Sequence, residues 1–233
     1  MLNRFGWYRG DAIETWVENL IKQKTGISGL TFLQLHNLHL SDNRYKDLYI
    51  TATNLTQQKL TVFSWNTYPT MSVSTAVRAS ISVPLYYNAL FLDAEGKKVD
   101  PKKVRAYDVF VDGGVVANYP LSLFDQPGKP NEHTLGLKLE RPEQLEQFKH
   151  SRDIAPFPVH NFKSYVGSLY NIMLEGMSRD SSFSTEASRT IYISTGNITP
   201  KVRKISLSQK DQLYMNGIKG AQLFLDKAPM HRR

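Results

Sequence analysis

Apolar residues recur along this chain at two spacings, which separate predicted helices from predicted strands. Near the start they recur every three or four residues, which predicts one buried helix face made of Ile13, Trp16, Val17, Leu20 and Ile21. Asp11, with Glu14 three residues later, fits a capping box at the start of this helix. Gly26 fits the position that ends it.

Alternating, β-branched stretches predict strands further along the chain. They are Asp47–Leu55, Lys59–Ser64, Tyr107–Asp112, Thr134–Glu140 and Thr190–Thr195, and the first two read as neighbours joined by a short polar turn. Helices are predicted between them over Val73–Val83, closed by Pro84, and along a stripe from Phe162 to Met177. A last helix follows Ser208, and its predicted inward residues are Leu213, Gly217, Ala221, Phe224 and Leu225. Interleaved strands and helices predict an α/β layered fold.

Composition agrees with one globular domain over residues 1–233, because 41% of residues are apolar and no linker is evident. No run of 18 or more apolar residues is present, so a membrane-spanning helix is not expected. The start of the chain lacks the apolar region of a secretory signal, and a cytoplasmic or peripheral membrane location is expected. The sequence contains no cysteine, which excludes disulfides and thiolate nucleophiles.

The positive charge is concentrated at the C-terminal end. Residues 191–233 hold eight Lys or Arg and two Asp or Glu, whereas residues 1–190 hold 21 and 19. One interpretation of this basic tail, at about 200–233, is a solvated helix and terminus; the other is attraction to anionic lipid head groups or nucleic acid. No zinc knuckle or ribonucleoprotein motif is present, so nucleic acid is not the expected partner.

The stretch VFVDGGVVANYPL, from Val109 to Leu121, holds the main candidate for chemistry. Asp112 closes a hydrophobic strand, and reactive groups of α/β sheets lie beyond the carboxyl ends of strands. Gly113 and Gly114 follow at once, and glycine permits positive φ or close backbone approach. Asp-Gly is also a common turn dipeptide, so these residues by themselves fit a turn as well as a catalytic base.

Five segments, taken together and in order, resemble the patatin-like phospholipase family. They are FGWYRGDAIETWVENLIKQKTG, DLYITATNL, the pair AVRASISVPLYY and VFVDGGVVANYPL, and the closing ISLSQKDQLYMNGIKGAQLFL. Each match is weak alone, but the set covers most of the chain. The resemblance implies a three-layer α/β fold, with helices on both faces of the sheet, that is incomplete at its N-terminal end.

The resemblance also implies a reaction. Enzymes of this family hydrolyse lipid acyl esters with a Ser–Asp dyad and need no metal or organic cofactor. Asp112 matches the aspartate that acts as general base, and Gly113 and Gly114 match the small residues after it. Ala117, Asn118 and Pro120 also match the pattern. The implied partners are lipid or phospholipid substrates presented at a membrane surface.

The family's nucleophile motif, Gly-x-Ser-x-Gly, is absent from this sequence. Gly26–Gly29 has the wrong spacing, Ser168 lies within a predicted helix, and Ser80 and Ser82 belong to another block. Three explanations stay open: the nucleophile segment is encoded upstream, it belongs to a separate polypeptide, or the protein is a non-catalytic lipid-binding relative. The chain alone is expected to be poorly stable, since a missing strand exposes backbone and apolar surface.

Other candidates carry less weight. Arg78, in the AVRAS block, is either a contact for an anionic head group or a structural residue that orients its helix in an ion pair. His36 and His39 with Asp42 have a spacing that permits a metal, although the segment is rich in leucine and a metal is not expected. Loop histidines that could complete a Ser-His-Asp triad are His133, His150 and His160.

Overall fold

The structure is a computed structural model that describes residues 5–151, 153–176, 186–198 and 205–227. The chain forms two compact units, Met1–Asn118 and Tyr119–Arg233. Unit 1 contains β1 (Gly6–Tyr8), α1 (Asp11–Thr25), α2 (Phe32–Ser41), β2 (Ile50–Asn54), β3 (Lys59–Phe63), α3 (Val73–Ser80), β4 (Leu85–Tyr87), β5 (Leu90–Leu92), β6 (Asp108–Asp112) and α4 (Gly114–Ala117). Unit 2 contains a short 3₁₀ helix (Leu121–Phe124), β7 (Gly136–Glu140), α5 (Pro142–Gln147), α6 (Phe162–Gly176), β8 (Thr190–Ser194) and α7 (Leu207–Lys227). That residues 1–233 form a single domain stays a prediction.

The main sheet of unit 1 has four strands in the order β3-β2-β6-β5. Every neighbouring pair in it is antiparallel, and the pairing of Ile50 with Phe63 confirms the predicted hairpin of β2 and β3. Strand β6 lies inside this sheet, so the strand that delivers Asp112 is hydrogen-bonded on both sides. A buried, doubly paired strand holds its last residue firmly in place.

Helices cover this sheet in layers. Helix α3 packs on β2 and β6, and α1 packs on α3. The core between them consists of buried apolar side chains from α2, α3, the loop before α3 and the sheet, among them Phe32, Ala52, Phe63, Met71, Ala76 and Phe110. This is a mixed α/β architecture of the kind predicted from the interleaved pattern.

Two further strand pairs are parallel: β1 with β4 in unit 1, and β7 with β8 in unit 2. In unit 2, α7 packs on β8, and Gly220 of α7 is buried. A Cβ on Gly220 would lie 2.6 Å from the carbonyl oxygen of Tyr192, so glycine is required for this close contact.

Several local predictions were wrong. Asp11 does not cap α1, because Gly10 is the N-cap residue and Asp11 pairs instead with Arg9 at 2.8 Å. The predicted inward face of α1 is too wide, since Trp16 and Leu20 are exposed. Likewise the predicted inward Leu225 of α7 is exposed.

Helix boundaries were predicted more closely. Gly26 ends α1 as predicted, with φ 76° and its N–H bound to the carbonyl of Lys22 at 2.8 Å. Helix α3 stops at Ser80, before the predicted Val83. Met177, the last residue of the predicted stripe on α6, lies outside the described residues.

Candidate active site

Asp112 is the last residue of β6, and two neighbours position its backbone. It is paired with Ala52 of β2, and its N–H donates to the carbonyl of Ser82 at 3.0 Å. Ser82 follows α3, so both the sheet and the end of this helix determine where the Asp112 side chain begins. The carboxyl end of β6 is where sequence reasoning placed the candidate base.

The Asp112 carboxylate is half-buried and only partly engaged. Its Oδ1 accepts a hydrogen bond from the Gly114 N–H at 2.8 Å. Within the described part of the chain, no cation pairs with it and no donor binds Oδ2. Burial raises the pKa of Asp112, and the Gly114 N–H offsets part of this rise. A carboxylate with one anchored and one available oxygen can accept a proton from a hydroxyl brought to Oδ2.

Gly113 is required for close packing and not for an unusual backbone angle. Its φ is −61°, an ordinary helical value, and Gly114 begins helix α4. A Cβ on Gly113 would lie 2.7 Å from the carbonyl oxygen of Thr51 on β2. The positive φ that sequence reasoning allowed is therefore not used. The glycine lets the turn after Asp112 lie directly against the neighbouring strand.

Arg78 is buried and its guanidinium is bound to several groups of unit 1. Nη2 donates to the carbonyls of Arg9 at 2.5 Å and Asn88 at 2.9 Å, and Nη1 donates to the Ser82 hydroxyl at 2.5 Å. The guanidinium also lies 5.5 Å from the centre of the Tyr87 ring. Burial lowers the pKa of Arg78, although a guanidinium stays protonated in proteins. These contacts favour a positioning role over contact with a substrate head group.

Ser82 connects Arg78 to Asp112, a link that the sequence did not reveal. Its hydroxyl accepts from Arg78 and donates to the Arg78 carbonyl at 2.7 Å, while its own carbonyl accepts from the Asp112 N–H. Ser82 is fully buried. It is therefore a positioning residue, and the only sequence signal for it was its place in the same block as Arg78.

The histidines considered as metal ligands have other partners. His36 Nδ1 lies 2.9 Å from Asp47 Oδ1, and His39 Nδ1 lies 3.0 Å from the Tyr45 carbonyl oxygen. Asp42 is bound by Arg44. Among the residues that the structure describes, no three His, Cys, Asp or Glu side chains cluster as metal ligands.

The other predicted histidines, His133, His150 and His160, belong to unit 2. Of these, His150 lies 3.7 Å from Glu146. No helix in the described ranges is both long enough and apolar enough to cross a bilayer.

Comparison with known proteins adds independent findings. The family model described as patatin-like phospholipase matches residues 1–125. The uncharacterized protein R571 of Acanthamoeba polyphaga mimivirus is 29% identical over 229 residues, covering 98% of this chain and 68% of that protein. The uncharacterized protein YqhO of Bacillus subtilis (strain 168) is 26% identical over 224 residues, covering 95% of this chain and 68% of that protein.

A solved structure, VipD from Legionella pneumophila, has a similar fold. It superposes with a TM-score of 0.52 and 21% sequence identity, over 84% of this chain and 35% of VipD. This chain thus spans about a third of VipD and about two thirds of R571 and YqhO. At this identity the similarity to VipD concerns the fold.

Proposed function

This chain belongs to the patatin-like phospholipase family, and from that premise we propose that it supplies the general base of a lipid acyl hydrolase of the phospholipase A or lysophospholipase type. The observation that carries the proposal is the Asp112 carboxylate. It sits at the end of an internal strand, with Oδ1 held by the Gly114 N–H and no partner for Oδ2 in the described part of the chain.

The proposed reaction uses Asp112 twice. As a serine hydroxyl attacks the ester carbonyl, Oδ2 of Asp112 takes the hydroxyl proton, and the serine oxygen bonds to the carbonyl carbon. The protonated Asp112 then gives that proton to the departing alcohol, which leaves an acyl-enzyme. Water then attacks the acyl carbonyl and gives a proton to Asp112. The bond between the acyl carbon and the serine oxygen breaks, Asp112 returns the proton to the serine oxygen, and the fatty acid departs. This chemistry needs no metal or organic cofactor.

The serine must come from polypeptide other than residues 1–233, because this sequence contains no Gly-x-Ser-x-Gly. We propose that it is encoded in frame upstream or carried by a second chain. Residues 1–233 would supply the base, the glycine turn and the Arg78–Ser82 contacts that hold the base in place, and the Gly-rich loop that binds the oxyanion would come with the serine.

The test is ester hydrolysis by a protein that contains both residues 1–233 and a Gly-x-Ser-x-Gly segment. Asp112→Asn should lower kcat by about a hundredfold or more, since general base catalysis typically contributes that much. Asp226→Asn, the same change at an exposed position of α7, is the matched control and should retain full turnover. Retained turnover in Asp112→Asn would remove this residue from the mechanism.

The second candidate function is a non-catalytic lipid-binding protein that has lost the nucleophile. The absence of Gly-x-Ser-x-Gly from all 233 residues favours it. Translating the genomic DNA upstream of the Met1 codon in frame separates the two. A Gly-rich loop followed by Gly-x-Ser-x-Gly supports the hydrolase, and its absence there and in any co-purifying chain supports the binding protein.

A further inference from the structure

Four large apolar side chains on or next to the parallel pair of β1 and β4 in unit 1 are exposed. Phe5 is 56% exposed, Trp7 71%, Tyr8 57% and Leu85 72%. Gly6 pairs with Leu85, so Phe5 and Trp7 are the chain neighbours of the residue that pairs with Leu85. We call these four residues the aromatic ridge. Exposing large apolar side chains to water is unfavourable, and a group of such exposed side chains marks an interaction site.

The backbone of the ridge is strained at two neighbouring points. Phe5 has φ 64° and Leu85 has φ 67°. Bulky side chains rarely adopt positive φ, because Cβ then crowds the backbone. Such strained residues cluster at ligand-contacting sites, where the surrounding structure imposes them. The strain is thus a second observation, separate from exposure, that points to the same residues.

Beside the ridge lies a loop rich in cations, Lys97–Arg105, which reads KKVDPKKVR and which we call the cationic loop. It holds five Lys or Arg and one Asp. Lys98 is bound to Glu14 at 2.8 Å. The other four cations are exposed, and in the described residues no carboxylate pairs with them; they are Lys97, Lys102, Lys103 and Arg105.

One buried ring joins the ridge to the cationic loop. The Phe91 ring lies 6.0 Å from the Phe5 ring and 5.3 Å from the Tyr107 ring. The Val99 N–H, inside the cationic loop, donates to the Phe91 carbonyl at 2.9 Å. Phe91 therefore contacts Phe5 of the ridge with its ring and binds Val99 of the cationic loop with its carbonyl, which links the two segments in the fold.

We propose that the aromatic ridge and the cationic loop together dock this protein on an anionic lipid bilayer. Exposed Trp and Tyr suit the boundary between acyl chains and head groups, and Leu and Phe suit the acyl region below it. Unpaired Lys and Arg beside them are attracted to anionic head groups. This inference rests on the proposed function for its choice of lipid as the occupant.

The surface also lies close in the fold to the candidate base. Phe91 pairs with Val109 of β6, three residues before Asp112. Leu85 follows Ser82, which binds the Asp112 N–H, by three residues. Docking through this surface would bring the bilayer to the part of unit 1 that holds Asp112. In the sequence, attraction to anionic lipid was one of two interpretations of the basic tail at about 200–233, the other being a solvated helix and terminus.

Vesicle flotation tests the electrostatic part, and it separates bound protein, which floats, from aggregates, which sediment. The full chain should float with phosphatidylcholine vesicles containing a quarter phosphatidylglycerol and much less with pure phosphatidylcholine. Neutralising Lys102, Lys103 and Arg105 to Gln should lower the partition coefficient roughly fivefold for each cation removed. The matched control neutralises three other exposed cations of unit 1, Lys22, Lys24 and Lys46, and should bind like the wild type.

The apolar part is tested by Trp7→Ser, which should lower partitioning about tenfold or more. Tyr214→Ser is its control, because Tyr214 of α7 is also 71% exposed. The proposal would be overturned if test and control variants lost partitioning equally, or if binding did not depend on lipid charge. The absence of flotation would also overturn it and would indicate that another polypeptide covers the ridge. Flotation requires no turnover, so its result and that of the hydrolysis assay are independent.

Discussion

Around Asp112, single atoms decide what the site can do. The Gly114 N–H anchors one carboxylate oxygen, and Gly113 lets the following turn press against Thr51 of β2. Sequence reasoning selected these residues, but for Gly113 the physical cause is contact with the neighbouring strand. Gly113 allows the turn after Asp112 to approach the backbone of β2 closely, and this contact keeps Asp112 at a defined position.

Gly113→Ala should destabilise the protein by about 1–3 kcal/mol, because the new Cβ meets a backbone carbonyl that cannot rotate away. The matched control is Gly217→Ala in α7, where a Cβ meets nothing within 4 Å. That control should gain about 0.5–1 kcal/mol, since alanine favours a helix over glycine. Chemical denaturation measures both changes. A neutral Gly113→Ala would show that β2 and the turn separate easily.

Asp112→Asn should also change how stability depends on pH. Burial raises the pKa of Asp112 in the folded state above its unfolded value of about 3.9, so the folded state binds this proton more tightly. The stability that protonation contributes is present below the unfolded pKa and is lost as pH rises through the folded pKa. The wild type should therefore lose stability relative to Asp112→Asn as pH increases.

Unfolding free energies of both proteins, measured from pH 3 to pH 7, give this difference directly, because the other carboxylates cancel. A difference that stays constant with pH would show that folding does not shift the pKa of Asp112. A difference of the opposite sign would show that a partner stabilises the carboxylate in the folded state.

At the scale of elements, Arg78 connects several segments of unit 1 through hydrogen bonds. From α3 it binds the segment before α1, the residue after β4 and the residue that holds the β6 terminus. The lack of a side chain at Gly10 makes room for the guanidinium, since a Cβ there would lie 2.4 Å from Nε of Arg78. One side chain thus sets the spacing of several short elements that have little core of their own.

Arg78→Met should cost about 3 kcal/mol, because it leaves buried hydrogen-bonding groups without a partner at nearly constant side-chain volume. The same change at Arg44, which is exposed and pairs with Asp42, is the control and should have little effect. Thermal unfolding compares the two variants. If both lose the same stability, the Arg78 hydrogen bonds contribute no more than a surface ion pair.

The chain as a whole leaves apolar sheet surface uncovered in each unit. Trp7 and Leu85 are exposed in unit 1, and Leu137 and Leu139 of β7 are both 64% exposed in unit 2. Each of these residues belongs to a two-stranded parallel pair, an arrangement that is normally part of a larger covered sheet. Uncovered strands of this kind promote association.

The isolated chain should therefore bind a hydrophobic dye such as ANS and self-associate at micromolar concentration. Leu137→Lys with Leu139→Lys should lessen self-association, because charges on exposed strands oppose edge pairing. Sedimentation velocity measures the change. A monomer of the unmodified chain that unfolds cooperatively and binds no dye would contradict this expectation.

From the sequence alone, the family, Asp112 as the candidate base, and five of the strands with the helices α1, α3, α6 and α7 could be predicted, whereas the short strands β1, β4 and β5 were missed. Periodicity and turn residues are local signals, so they located β2, β3, β6 and the end of α1 at Gly26 within a few residues. Only the tertiary structure decided which arc of a helix is covered, as at Trp16, because burial depends on neighbours distant in sequence. It also decided that Gly113 lies against Thr51, that Arg78 binds backbone carbonyls, and that Phe91 links Phe5 to the cationic loop. These contacts join residues as far apart in sequence as Phe5 and Phe91, and no local pattern in a single chain specifies them.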